Sequence, residues 1–336
     1  MGFPHVSREI IRIRKLGLEK SKGLTGAITW REKDYLKGET VEVGVIILPT
    51  RGCSWAHKGG CSMCGYVYDS LDSSQETVLK NFRKAFEKLN GVRYLKIFNS
   101  GSFFDEGEIS SETREEILAA VDSVGSIERL QVESRPEFIT ESALKYSTEF
   151  SKELEVGIGL ETASDKIREV SINKGFTFED FKIAVERCKK YGVKIKAYLL
   201  IKPLFLSEKL AMEDAIASAE EAARLGVDRI SFNPMNVQRF TLVERLFLNK
   251  EYSPPWLWSV VEILKRVSET VDVPVICKPT AAGKARGASN CRQCSDDVAK
   301  AIEMFSATQQ VSYLNNLDCS CKEEWRLKLM YEEVTF

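Results

Sequence analysis

Residues 41–66 read VEVGVIILPTRGCSWAHKGGCSMCGY. The first eight are apolar and β-branched, the pattern of a strand. Directly after it, Cys53, Cys61 and Cys64 fall in one loop with Gly52, Gly59, Gly60 and Gly65. Seven residues separate the first pair of thiols and two the second. Glycines let such a loop curl so that thiolates converge and backbone N–H groups approach sulfur. A structural zinc ion takes four protein ligands, so three thiolates imply a distant fourth ligand or a metal left open for chemistry. On a four-iron, four-sulfur (4Fe-4S) cluster, three thiolates would leave one iron free to bind a substrate or cofactor. His57 could instead complete a Cys3His zinc site, although it lies awkwardly inside the long gap. Spacing alone leaves iron–sulfur, zinc and no metal open.

The strand at 41–48 begins a regular alternation. Val78, Phe82, Phe86 and Leu89 mark a helix over 74–90, and strands are expected at 94–100, 129–134, 154–161, 194–201 and 228–234. Helices are expected between them, near 111–121, from Pro136, around Phe178–Phe181–Val185–Cys188, at 208–225 and at 255–268; residues 273–278 could add a short strand. Six βα units imply an α/β fold with a parallel sheet, and periodicity does not separate an open doubly wound sheet from a barrel. Polar residues gather at the C-terminal strand ends: Asn99-Ser100-Gly101, Glu133-Ser134-Arg135, Glu161-Thr162, Lys202-Pro203 and Asn233-Pro234. Ser134 and Thr162 could be ordinary caps. That edge carries the active site in parallel α/β folds, and the three cysteines share it.

Composition fits a soluble globular protein: 336 residues, 43% hydrophobic, 29% charged and a net charge of -1. No global basic field advertises nucleic acid, although local patches are what bind phosphate. The opening MGFPHVSREIIRIRKLG lacks a signal-like apolar core, and no apolar run approaches a membrane span, so a cytoplasmic protein is expected. Nine cysteines, eight of them in two clusters when Cys277 is counted with the second, point to metal binding rather than disulfides. Cys188 reads as a packed core residue.

In these residues the chain resembles the radical S-adenosylmethionine (SAM) enzymes over roughly 41–235. Cys53, Cys61 and Cys64 match that family's cluster ligands, and Tyr66 its aromatic position beside the adenine. FNSGSFFDEGEI (98–109) resembles the segment that receives the methionine amino group, matched by Ser100, Gly101 and Ser102. Glu133 and Arg135 match positions near the ribose or carboxylate, and Glu161 and Arg168 match positions facing the site. KAYLLIKP (196–203) is similar to the fifth strand. The resemblance implies a radical SAM partial (β/α)6 barrel with one 4Fe-4S cluster and SAM. It also implies an electron donor, reductive SAM cleavage and a 5′-deoxyadenosyl radical, so no side chain is assigned as catalytic.

The wide gap between Cys53 and Cys61 departs from the commonest spacing and is similar to the branch that acts on tRNA, most of all to its archaeosine-forming members. That similarity implies a tRNA whose 7-deazaguanine at position 15 carries a lysine adduct, a partner subunit that attaches the lysine, and radical carbon–nitrogen cleavage, a lyase-type reaction. Asp105, Glu106 and Glu108 are candidate contacts for the lysine ammonium, with a solvated loop or helix cap the preferred reading; Asn233 and Asn236 are further substrate candidates.

A second cluster, Cys291, Cys294, Cys319 and Cys321, offers four thiolates for a structural zinc, with a second iron–sulfur cluster or free thiols as alternatives and Cys277 as a competing ligand. Lys278, Lys284, Arg286 and Arg292 form a basic stretch that could track phosphate or be a solvated linker. The N-terminal stretch has a similar bias through Arg8, Arg12, Arg14, Lys15, Lys20 and Lys22, and nearby Trp30 and Tyr35 read as packing residues before base-stacking ones. The expected units are 1–40, an extension packing on the barrel; 41–270, the barrel; and 271–336, a Cys-rich metal-binding unit. Two alternatives remain: another radical SAM tRNA modification inserting sulfur or a carbon fragment, or a noncatalytic zinc protein that binds RNA.

Overall fold

Eight strands hydrogen-bond in chain order into one sheet: β1 (Ile28–Leu36), β2 (Glu39–Ile47), β3 (Tyr94–Phe98), β4 (Arg129–Glu133), β5 (Glu153–Glu161), β6 (Lys194–Ile201), β7 (Arg229–Pro234) and β8 (Val275–Cys277). The computed structural model describes residues 4–332; residues 1–3 and 333–336, the outermost parts of the expected N-terminal and Cys-rich units, lie outside the described residues. β2 to β7 are the six expected parallel strands. β8 adds a short parallel seventh, and β1 pairs antiparallel with β2 from Ile28↔Ile47 to Leu36↔Glu39.

The longer helices are α1 (Pro4–Lys20), α2 (Gln75–Phe86), α3 (Ser111–Asp122), α4 (Phe178–Lys190), α5 (Glu208–Arg224), α6 (Leu257–Thr270), α7 (Ser295–Thr308) and α8 (Lys322–Tyr331). Their starts follow capping chemistry: the Ser74, Ser110 and Ser207 side chains accept N–H bonds, and Thr177 forms a reciprocal capping box with Asp180. Pro136 opens only a single 3-10 turn, and a short helix follows at Glu141–Lys145.

Alternation along each strand sends Leu95, Ile97, Leu130, Val132, Val156 and Ile195 toward Val78, Phe82, Ile117, Val121 and Phe181 of the helices. The opposite face is polar and buried. Lys96 donates to Glu32 at 2.8 Å and also to Asp34, while Arg129 bridges Glu153 and Glu155. Arg229 on β7 reaches Asp34 at 3.3 Å and Tyr35 O at 2.5 Å on β1. These bonds join the first strand to the seventh across the concave face, so the sheet is curled into a partial barrel with a charged lumen.

β1 lies within the expected N-terminal extension, where ITWREKDYL carries four charges and no apolar run to mark a strand. Its inward carboxylates are instead the counter-charges of that lumen. Trp30, expected to pack, is 39% exposed, and Lys278, expected in a stretch that tracks phosphate or forms a solvated linker, is bonded to Glu32 at 2.5 Å.

Candidate active site at the barrel mouth

β2 ends at Ile47, and the chain turns through Thr50 into the three-cysteine loop, where Cys53 N donates to Ser100 O at 3.2 Å. A short helix, Ser54–Lys58, fills the gap between the first two thiols. It sends His57 outward, with Nε2 2.9 Å from Arg51 O, so His57 is not a fourth ligand.

Two elements hold the rest of the loop. From α1, Arg14 Nε donates to Gly59 O, and one terminal nitrogen donates to both Cys61 O and Cys64 O, each bond 3.0 Å long. From the segment after β5, Asn173 Nδ2 donates to Gly60 O at 2.8 Å, Trp55 Nε1 donates to Asn173 O at 2.8 Å, and Ser62 N donates to Ile172 O at 2.8 Å. Carbonyls are thus drawn outward, while the N–H groups of Ala56 and Tyr66 bond the thiols of Cys53 and Cys64.

Burial raises the Cys53 thiol and, with neighbouring Cys61, pushes Cys64 up to about 12; Arg135 and Arg14 respectively pull them down. Protonated thiols in a cationic, N–H-lined cradle are what a bound metal would deprotonate. The donor set is all sulfur, which fits iron–sulfur chemistry.

Ser100, Gly101 and Ser102 follow β3 in a tight turn, with Ser100 at φ 57. Glu108 folds back beneath it, accepting from Ser102 N at 2.7 Å, Thr50 Oγ1 at 2.9 Å and Asn99 Nδ2 at 2.9 Å. A Cβ on Gly101 would stand 2.0 Å from Glu108 Oε1, so glycine is required there. Glu108 is 2% exposed, which corrects the solvated-loop reading, and burial raises its carboxyl to about 7. Glu106 does behave as a cap, accepting from Ser111 N at 2.9 Å, and Asp105 accepts from Gly107 N at 2.9 Å within its own turn.

Glu133 ends β4, and burial raises its pKa against a hydrogen bond from Tyr198. Arg135 N donates to Ser102 Oγ at 3.0 Å, and its guanidinium donates to Lys174 O at 3.0 Å and lies over Trp55 and Phe176. Glu161 ends β5 at φ 67 and pairs with Lys174 at 2.6 Å. Tyr66 is half exposed at the rim, its hydroxyl pushed up to about 12 by burial and the nearby charges of Cys64, Glu133 and Glu161. The fold therefore gathers Tyr66, the turn at 100–102, Glu133, Arg135 and Glu161 around the cysteine loop.

Arg168 stands next to them, its guanidinium 5.8 Å from the centre of the Phe176 ring that Arg135 also lies over, and within electrostatic reach of Glu161. Its guanidinium is 1% exposed and spent on Leu160 O, Thr162 O and Asp165, fixing the end of β5. Asn233 and Asn236 lie partly buried at the end of β7, and Lys284 and Arg286 are exposed on a loop tied to it by Val237 N donating to Arg286 O at 2.7 Å. Arg14, Lys174 and Asn173 escaped the sequence reading. Arg14 was hidden in a helix that read as a basic patch, and only its spacing within the amphipathic turn set it apart.

Over 98% of its length the chain is 42% identical to archaeosine synthase subunit beta of Methanosarcina acetivorans, covering 98% of that protein. It is 41% identical to the Thermococcus kodakarensis protein of the same name, over 88% of this chain and 94% of that one. This chain belongs to the archaeosine synthase subunit beta family. No family model matches it. SuiB of Streptococcus suis, solved with S-adenosylmethionine, superposes with a TM-score of 0.50 at 15% identity, over 70% of this chain and 49% of SuiB. That likeness is one of fold, the radical SAM partial barrel.

This subunit beta family member carries a second all-thiol group. Sγ–Sγ separations are 3.6 Å for Cys291–Cys294, 3.5 Å for Cys291–Cys319 and 3.6 Å for Cys294–Cys321. Four thiolates about 2.3 Å from one tetrahedral ion stand roughly 3.8 Å apart, so these four fit a single ion. All four sulfurs lie within 4.8 Å of one another, and Cys53, Cys61 and Cys64 form no such tight group among the described residues. Cys277 stays out of the set, buried with its N–H bonded to Ser306 Oγ at 2.8 Å. Burial opposes ionisation of Cys291, but bonds from Cys319, Gln293 and Cys294 bring it down to about 7. Trp258 Nε1 donates to Cys321 Sγ at 3.3 Å, tying the unit to α6. Among the described residues no helix is long and apolar enough to cross a membrane.

Proposed function

We propose that this protein is the radical SAM subunit of an archaeosine synthase, converting the lysine adduct of 7-deazaguanine at position 15 of archaeal tRNA to archaeosine. The observation that carries the reading is the three-thiol loop seated at the mouth of the partial barrel in a chain 42% identical to subunit beta over nearly its whole length. Cys53, Cys61 and Cys64 would hold a 4Fe-4S cluster. When bound, the cluster and SAM supply a deoxyadenosyl radical able to remove hydrogen from an unactivated carbon. Loss of hydrogen from the lysine portion and cleavage of its carbon–nitrogen bond leave the formamidine of archaeosine.

The chain's own groups position and shield. Glu108 braces the turn at 100–102 so that its backbone can receive the methionine amino group, and Glu161, held by Lys174, offers a fixed carboxylate at the rim. Glu133 and Arg135 would face ribose or carboxylate, and Tyr66 the adenine. Arg168 serves by fixing the end of β5. Asn233, Asn236 and Asp105 are proposed on the substrate side, and Lys284 and Arg286 are proposed to meet tRNA phosphate. The barrel is proposed to centre on 41–270, with residues 1–40 and 271–336 flanking it and adding β1 and β8 to its sheet, and with the C-terminal unit holding zinc at Cys291, Cys294, Cys319 and Cys321. A lysine-transferring partner subunit and an electron donor complete the cytoplasmic reaction.

The test is anaerobic incubation of the iron- and sulfide-reconstituted protein with dithionite, SAM and lysine-bearing tRNA, followed by nucleoside mass spectrometry. Archaeosine and 5′-deoxyadenosine should appear together and vanish in the Cys53→Ala, Cys61→Ala, Cys64→Ala protein. Deoxyadenosine without archaeosine would overturn the substrate, and neither product from a loaded protein would overturn the chemistry.

A further inference from the structure

Six arginines are buried in the described residues, and five have a carboxylate partner: Arg114 with Glu106, Arg129 with Glu153 and Glu155, Arg135 with Glu137, Arg168 with Asp165, and Arg229 with Asp34 and Glu155. The sixth is Arg14, 4% exposed, whose bonds run to the carbonyls of Gly59, Cys61 and Cys64 and to no acid among the described residues. Its second terminal nitrogen is buried without a hydrogen-bond partner, and the guanidinium carbon lies 5.9 Å from the centre of the Tyr68 ring. A buried cation without a counter-charge is costly, and neither the three carbonyls nor the Tyr68 ring face brings a full negative charge.

The environment is built around it. Gly60 has φ +83, and a Cβ there would stand 2.5 Å from Arg14 Cζ. α1 is seated by buried Ile10, by Ser7 Oγ donating to Asn173 Oδ1 at 3.2 Å, and by Glu9 pairing with Arg245. The negative charge absent from this cradle is the one that three thiolates and a cluster would bring.

We propose that Arg14 is a positioning residue for the metal centre: α1 lays its fixed positive charge against the cysteine loop, where it serves as counter-ion to the cluster and favours the reduced, more negative state. The three carbonyl bonds add a second effect. They turn the negative ends of those peptides toward the guanidinium and hold the loop in shape before metal arrives. The inference rests on the assignment of a 4Fe-4S cluster to Cys53, Cys61 and Cys64, and it extends the site to an element outside the barrel.

The experiment is a redox titration of the reconstituted full chain, followed by electron paramagnetic resonance, for the wild type, Arg14→Gln and Arg14→Lys, with iron and sulfide counted in each. Removing the charge in Arg14→Gln should lower the reduced-to-oxidised ratio at a fixed potential at least tenfold, a shift of about 59 mV to more negative values for one electron. Arg14→Lys keeps the charge and should stay within threefold of wild type. A fully loaded Arg14→Gln with unchanged potential overturns the proposal. Should Arg14→Gln take up no cluster, Arg14→Lys decides: a loaded cluster near the wild-type potential supports the charge, and a lost or tenfold-shifted cluster means that the shape of the fork alone mattered. A wild-type protein that forms no four-iron signal would instead sink the cluster assignment itself.

Discussion

Lys196 illustrates how far the lumen bends ordinary side-chain chemistry. It is 3% exposed on β6, donates to Gln131 Oε1 at 3.0 Å and lies close to Lys96 and Arg229 as well as Asp34 and Glu155. Burial, aided by Lys96, lowers its pKa from 10.5 to about 7. Between those values the unfolded chain carries a proton at this position that the folded chain does not. Stability must therefore rise with pH from about 7 to about 10.5 and fall as pH drops toward 7. The slope from this one group is at most about 1.4 kcal/mol per pH unit. Lys196→Met should flatten urea-denaturation stability across that window relative to wild type; parallel curves would mean the lysine is charged in the fold. Gly101 gives a second residue-scale outcome. Gly101→Ala sets a methyl against Glu108 Oε1 and must displace either the turn or its brace, so SAM binding measured by calorimetry should weaken at least tenfold while the thermal midpoint moves little.

At the scale of elements, the terminal cysteines are wired into the barrel through two tryptophans. Trp258 on α6 donates to Cys321 Sγ, and Trp325 on α8 donates to Ser259 Oγ at 2.8 Å. Ser259 in turn donates to Glu208 at 2.6 Å, and Glu208 holds Lys202 at the end of β6 at 2.7 Å. Metal content should be one zinc per chain, retained when Cys53, Cys61 and Cys64 are all replaced by alanine. Its removal by a strong chelator should shift the tryptophan emission and open the amides of α7 and α8 to hydrogen exchange while β2 to β7 stay protected. Visible iron–sulfur absorbance in that triple-alanine protein would show the terminal site to be a second cluster. The spacing of Cys291, Cys294, Cys319 and Cys321 made the four-thiol site readable from sequence, because C-x-x-C and C-x-C fix ligands locally. The bonds from Trp258 and Trp325 were not readable, since they join residues 63 and 66 positions apart and depend on how α6 meets α8.

For the whole molecule, what was legible was what repeats or clusters: six strands, their helices, and the rim where polar residues collect. What escaped was non-local charge pairing. β1 hid because Glu32 and Asp34 make it look solvated, and Arg14 hid because one buried cation in a basic helix has no period to betray it. Asp34 is where that blindness matters most for the architecture. It is 1% exposed and pairs with Lys96 on β3 and Arg229 on β7, so a single carboxylate ties the antiparallel edge of the sheet to both sides of the lumen. Its pKa falls well below the usual carboxylate range: burial opposes ionisation, but Lys96 and Arg229 outweigh it. Replacing it leaves two buried cations under-compensated, the situation in which breaking a buried pair costs about 3–5 kcal/mol. Asp34→Asn keeps the shape and removes the charge, so it should lower the free energy of urea unfolding by that amount. A lowered denaturant slope would accompany it if β1 detaches in the native state, because less surface then remains to be exposed. The wild-type curve should also lose stability as pH falls below about 4, where the unfolded chain's aspartate takes up its proton more readily than the native one, and Asp34→Asn should lack that share of the acid dependence. Equal stability of the two proteins at pH 7 would mean that the lumen network redistributes its charge, and that the barrel is closed by packing rather than by Asp34.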